Sequence, residues 1–120
     1  MKRPAQFLPH AVLQETRDDG SILLRSGYKI GPVADRTGDW LHQWAEKTPE
    51  AVFIAERSGA GWREESFRSV LQKVQALAAA LLARGMGPQT PIIMMSGNGV
   101  DHGLLALAAQ YVGVPIVPVA

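Results

Sequence analysis

After Arg84 the chain carries one formal charge, Asp101, all the way to Ala120. Within that span an apolar run, Pro91 to Met95, opens into Gly97-Asn98-Gly99. The sequence then closes on Val112-Gly113-Val114-Pro115-Ile116-Val117-Pro118-Val119-Ala120. Strands that read as near-continuous Val/Ile runs usually lie in parallel sheets covered on both faces. "PIIMM", a helix over Val100 to Val112 and "VPIV" therefore predict a β-α-β unit, with a crossover expected to be right-handed. Nothing later in the sequence supplies the cover such strands need, so the chain is expected to be truncated.

Upstream, local signals predict alternating elements. Residues 11–25 read as a β-hairpin: "AVLQETR" alternates, Asp19-Gly20 turns and "SILLR" returns. "SGYKIGPVADRTG" reads as a linker. A short helix over "DWLHQWAEK" places Trp40, Leu41, Trp44 and Ala45 on one face and ends at Thr48-Pro49. Ala51 to Arg57 reads as a strand, turned by Ser58-Gly59-Ala60-Gly61 into a second at Trp62-Arg63-Glu64. Ser66 is placed to cap the clearest helix. Phe67, Val70, Leu71, Val74, Leu77, Ala78 and Leu81 recur at helical spacing on it, with Arg68, Gln72, Lys73 and Gln75 opposite. Gly85 follows as its terminator. The expected organisation is a hairpin and linker over 1–36 and an incomplete α/β domain over 37–120.

The glycines near the β-α-β unit invite a nucleotide-binding reading. A dinucleotide fingerprint needs G-x-G-x-x-G, whereas Gly97, Gly99 and Gly103 run one residue too long at the last step. The following strand, Val114 to Val119, carries no acidic residue to hold a ribose. The P-loop pattern fails as well, since no lysine lies in 85–120. A structural corner is the expected alternative, with Asn98 capping the helix and Asp101 near its positive end.

Other residues support no site. There is no cysteine, hence no disulfide or thiolate metal centre. His10, His42 and His102 lack the company that three- or four-donor metal sites need. Trp40, Trp44 and Trp62 could form a base-stacking platform, but those are interleaved with basic residues, and the i, i+4 spacing of Trp40 and Trp44 predicts core packing instead. Glu64-Glu65 are adjacent rather than placed across a cleft, Asp18-Asp19-Gly20 lacks further calcium ligands, and Ser96-Gly97 lacks a nucleophile elbow. No catalytic, cofactor-binding or metal-binding residue is therefore assigned. A net charge of +1 gives no reason to expect nucleic acid as a partner. Met1 to Gln6 lack an apolar stretch behind their basic residues and read as a poor signal peptide, and no uncharged run suits a membrane span. A cytoplasmic chain is expected.

In order and spacing, "GDWLHQWAEKTPEAVFIAER", "GWREESFRSVLQKVQALAAALLARGM" and "PIIMMSGNGVDHGLLALAAQYVGVPIVPV" resemble the opening of the adenylate-forming acyl-CoA synthetases. The matching features are Thr48-Pro49, Trp62, Ser66-Phe67, Leu81 to Gly85, Asn98 and Gly113 to Val119. The family usually has an acidic residue three after the serine, where this chain has Ser69. "AERSGAGWR" and "SGNGVDHGLLALAA" look closest to bacterial feruloyl-CoA synthetases and related arylcarboxylate-CoA ligases.

The resemblance implies an α/β fold, namely a partial N-terminal region of the large domain of such enzymes. It also implies a two-step ligase. A carboxylate attacks the α-phosphate of Mg-ATP to give an acyl-adenylate and pyrophosphate, and CoA then displaces AMP. ATP, Mg and CoA are implied for the full-length family but not for this chain, because the family's phosphate loop, Thr-Glu pair, ribose-binding aspartate and C-terminal lysine have no counterparts here. The expected partners are a carboxylic acid, ATP and CoA in the full-length protein, with the rest of the ligase domain covering the apolar C-terminal strands. The fragment alone is expected to be inactive. The alternative is a small standalone α/β module that binds a nucleotide or partner without catalysis.

Overall fold

A computed structural model describes Phe7 and residues 9–119. The segment Met1 to Gln6, read above against a signal peptide, lies outside the described residues, as does Ala120. The chain divides into two compact units, one up to Val33 and one from Ala34 onward.

The first unit holds the expected hairpin. Strands β1 (Val12–Thr16) and β2 (Ile22–Ser26) pair antiparallel, with Gln14 opposite Leu24. Gly20 takes a positive φ of 82° that a side chain would resist, and Asp19 Oδ1 accepts bonds from the Ser21 amide (2.9 Å) and hydroxyl (2.7 Å). Arg25 pairs with Glu15 across the strands.

The second unit begins with α1 (Thr37–Lys47), two residues earlier than the sequence suggests. Asp39 starts it by accepting the Arg36 backbone N–H at 3.1 Å. Gly38, expected in the linker, lies in the first turn. A side chain there would stand 2.8 Å from the Tyr111 ring, so glycine permits the close approach. Strands β3 (Val52–Ser58) and β4 (Gly61–Ser66) form an antiparallel hairpin turned at Gly59 (φ 57°), with a register irregularity between Val52 and Ile54.

Helix α2 (Phe67–Ala83) follows the predicted pattern closely. Ser66 Oγ accepts the Ser69 amide at 3.3 Å. At the other end Met86 N–H reaches Leu81 O and Gly85 N–H reaches Leu82 O, with Gly85 at φ 73°. That is a Schellman closure, and it requires the left-handed residue glycine supplies. Strand β5 (Ile92–Met95), α3 (Val100–Tyr111) and β6 (Ile116–Val119) complete the β-α-β unit. β5 and β6 run parallel, with Ile93 opposite Val117 and Met95 opposite Val119.

The core lies among the three helices. Leu41, Val70, Val74, Ala78, Leu81, Val100, Leu104, Ala108, Ala109 and Val114 form one buried cluster. Each large side chain there contributes roughly 1.5–3 kcal/mol by burial. Small residues at Ala108 and Ala109 let α3 sit deep in the unit: only Asp101 and Gln110 on that helix are exposed.

The predicted core packing of Trp40 and Trp44 is corrected. Trp40, Trp44 and Trp62 are all substantially exposed. On α1 it is Leu41 that enters the core, while Trp44 rests on Phe67, itself edge-on to Phe53. Lys47 lies over Trp44 and Arg57 over Trp62, so these rings sit at the rim beneath cations.

Candidate functional site

The β5–α3 corner forms a concavity with polar walls in the second unit. A cavity of about 590 Å³ is lined there by Glu56, the Ile93 to Gly99 stretch, Asp101, His102 and Leu105. β5 delivers the chain to Met95, and Ser96-Gly97-Asn98-Gly99 turns it into α3.

The expected Asn98 cap is not what closes the helix. The N-cap is Gly99, and no side chain of the corner caps the backbone amides of the first turn. Glu56 of β3 does so instead, its Oε2 accepting the Val100 N–H at 2.9 Å. A Cβ on Gly99 would fall on that same oxygen, so the glycine makes room for an arriving carboxylate. A Cβ on Gly103 would come within 2.8 Å of Ile54 Cδ1, another contact with β3. Gly97 faces open space. Two of the three glycines that suggested a phosphate loop thus allow the helix to approach a strand.

Asp101 does stand in the positive first turn, and it is also paired. Arg63 of β4 grips it through two bonds, Nη1 to Oδ2 at 3.1 Å and Nη2 to Oδ1 at 2.7 Å. The same guanidinium reaches Glu56 Oε1 at 3.0 Å and passes Glu65 at 3.8 Å. Hydrogen bonding from Arg63 holds the Asp101 carboxyl below the usual range, and Asp101, then Glu56, push the guanidinium further up. Glu65 is buried and bonded to Lys73 Nζ and, at 2.6 Å, to the Ser69 hydroxyl; those bonds, Lys73 first, lower its pKa. Sequence reasoning saw each of these residues singly and missed the cluster. Its one sequence signal is Asp101, a lone charge in an apolar stretch.

The three histidines are scattered. His102 Nδ1 lies 2.9 Å from Ser96 Oγ, His42 lies 2.7 Å from the Tyr111 hydroxyl, and His10 belongs to the first unit. Among the described residues no group of three or more His, Cys, Asp or Glu is placed to hold a metal ion. The corner does not fit a polyphosphate. The Val100 amide of α3 is taken by a carboxylate, Glu56 and Asp101 line the cavity, and the adjoining guanidinium is already spent on both. Among the described residues no helix is long and apolar enough to cross a membrane.

Solved structures share this architecture. The chain resembles IdnL1 (TM-score 0.63, 29% identity, 74% of this chain and 18% of that one). It also shares the fold of a fatty acyl-adenylate ligase from Legionella pneumophila (TM-score 0.63, 21% identity, 68% of this chain and 14% of that one). A curated relative is the PKS-NRPS hybrid synthetase psoA of Aspergillus fumigatus, 27% identical over 111 residues, or 90% of this chain and 3% of that protein. The AMP-binding enzyme profile matches residues 41–120, and the chain belongs to that family. It spans a small part of the length of each of these relatives.

Proposed function

We propose that this chain supplies part of the α/β scaffold of an ATP-dependent acid–thiol ligase, which joins a carboxylic acid to CoA through an acyl-adenylate. The family match over residues 41–120 carries this reading. The Legionella ligase supports the first half-reaction, since its structure holds acyl adenylate and pyrophosphate, the two products of that step. An aromatic, ferulate-like acid and CoA as acceptor rest on the likeness of "AERSGAGWR" and "SGNGVDHGLLALAA" to feruloyl-CoA synthetases. Mg would accompany the ATP, and the cytoplasm is the compartment where such a ligase meets both nucleotides.

The residues described here take no part in the chemistry on this reading. The β5–α3 corner cavity has the carboxylates of Glu56 and Asp101 in its lining, and among the described residues no Lys or Arg lines it. The chain's contribution is to position strands whose exposed apolar face, Ile93, Met95, Val117 and Val119, is covered by the remainder of the ligase domain.

Trapping with hydroxylamine tests both halves of the proposal. The 120-residue chain with ATP, Mg and ferulate is expected to give no feruloyl hydroxamate. The complete product of its reading frame is expected to give it, and to prefer aromatic over aliphatic acids. Hydroxamate from the isolated chain would overturn the scaffold role. No hydroxamate from the complete product with either acid class would overturn the ligase. Saturable ATP binding by the isolated chain without turnover would favour a small nucleotide-binding module instead.

A further inference from the structure

We propose that Glu56, Arg63 and Asp101 form a clasp that fastens the first turn of α3 to the β3–β4 hairpin, and that opening it frees the Met95 to Gly99 corner while the helical core stays folded. The three side chains close a ring. Glu56 and Arg63 face each other directly across the hairpin. Glu56 Oε2 accepts the Val100 amide, Arg63 bridges Glu56 Oε1 to the Asp101 carboxylate, and Val100 and Asp101 are consecutive residues. Each member therefore fixes its neighbours' rotamers, and a change in one loosens two contacts.

The corner has little else to hold it. Ser96, Gly97 and Asn98 are exposed and, among the described residues, make no backbone hydrogen bond outside the strands and helices. Their remaining tie is the bond of Ser96 Oγ with His102 Nδ1, which belongs to the same first turn. Segments with few buried contacts and few protected amides open locally at low cost. On α3, Val100, Leu104, Ala108 and Ala109 are buried in the core, which confines the opening to the corner before Val100 and to the outward side of the first turn. Glu65 and Lys73 stand behind Arg63 and stay with β4 and α2 when the clasp parts. The moving segment walls the corner cavity, so the clasp sets how wide that cavity stands.

Hydrogen exchange followed by mass spectrometry on the full chain reads this directly. Asp101→Asn is the decisive variant, because the Asp101 side chain is exposed and has no packing to lose. Exchange in the segment 96–103 is expected to rise about three- to tenfold, the range for loss of a charged contact in a local opening. Exchange in 72–80 of α2 is expected to stay unchanged. Arg63→Gln is expected to do the same or more. Unchanged exchange at 96–103 in Asp101→Asn would overturn the clasp, and so would an equal rise in both segments, which would report global destabilisation.

Discussion

Gly99 owes its place to a side chain on another element. Its φ of −162° is ordinary extended backbone, so conformational freedom is not the reason for it. What matters is the space a Cβ would take from Glu56 Oε2. A carboxylate at the end of a flexible side chain can usually move aside cheaply, but this one holds the Val100 amide and half of Arg63. Gly99→Ala is therefore expected to cost about 1 kcal/mol, the loss of a helix cap. Gly97→Ala, with nothing within 4 Å of the added carbon, is expected to be neutral or to stabilise by about 0.5 kcal/mol through the unfolded chain. Urea midpoints of the two variants check the ranking, and the reverse order would refute the packing argument.

The junction of β4 with α2 shows how far one element can be read from its own sequence. Ser66, the apolar stripe from Phe67 to Leu81 and Gly85 are local signals, and the helix obeys all of them. The missing acidic residue at position 69 could not be resolved in that way. The structure meets it with Glu65, which comes from the strand side and bonds both Ser69 and Lys73. Asn98 failed for the opposite reason: it satisfied every local rule for a cap, and a strand residue far off in sequence took the role. The tryptophans mark a third limit, since i, i+4 spacing says that Trp40 and Trp44 share a face but not which way it points. Local pattern gave the elements, then, while contacts between elements made the corner. Glu65 also sets a pH dependence for this junction. Its folded pKa is depressed, so the unfolded state binds more protons and the stabilisation is present above the ordinary glutamate value of about 4.3. It is lost as pH falls from there through the lower folded pKa. Thermal midpoints measured across this acid range are expected to fall more steeply for the natural chain than for Glu65→Gln. Parallel curves would remove Glu65 from the account.

At the scale of the whole molecule, one surface stands apart from the rest. Alternation along β5 buries Met94 and leaves Ile93 and Met95 outward, 68% and 84% exposed. The parallel register sets these against Val117 and Val119 on β6, which are also exposed, so four apolar side chains form one continuous face. The near-absence of charge after Arg84 announced such strands, and only the register shows that their outward residues coincide. Open strand edges beside an apolar face are a template for self-association. The isolated chain is accordingly expected to associate as its concentration rises in sedimentation velocity, and to bind a hydrophobic dye. Met95→Lys combined with Val119→Thr should suppress both. Because those side chains are already exposed, stability should shift by less than about 0.5 kcal/mol. Suppressed association with an unchanged unfolding midpoint would locate the contact on this face. Association that persists in the double variant would move it elsewhere, with the aromatic rim of Trp44, Phe53 and Phe67 the next surface to alter.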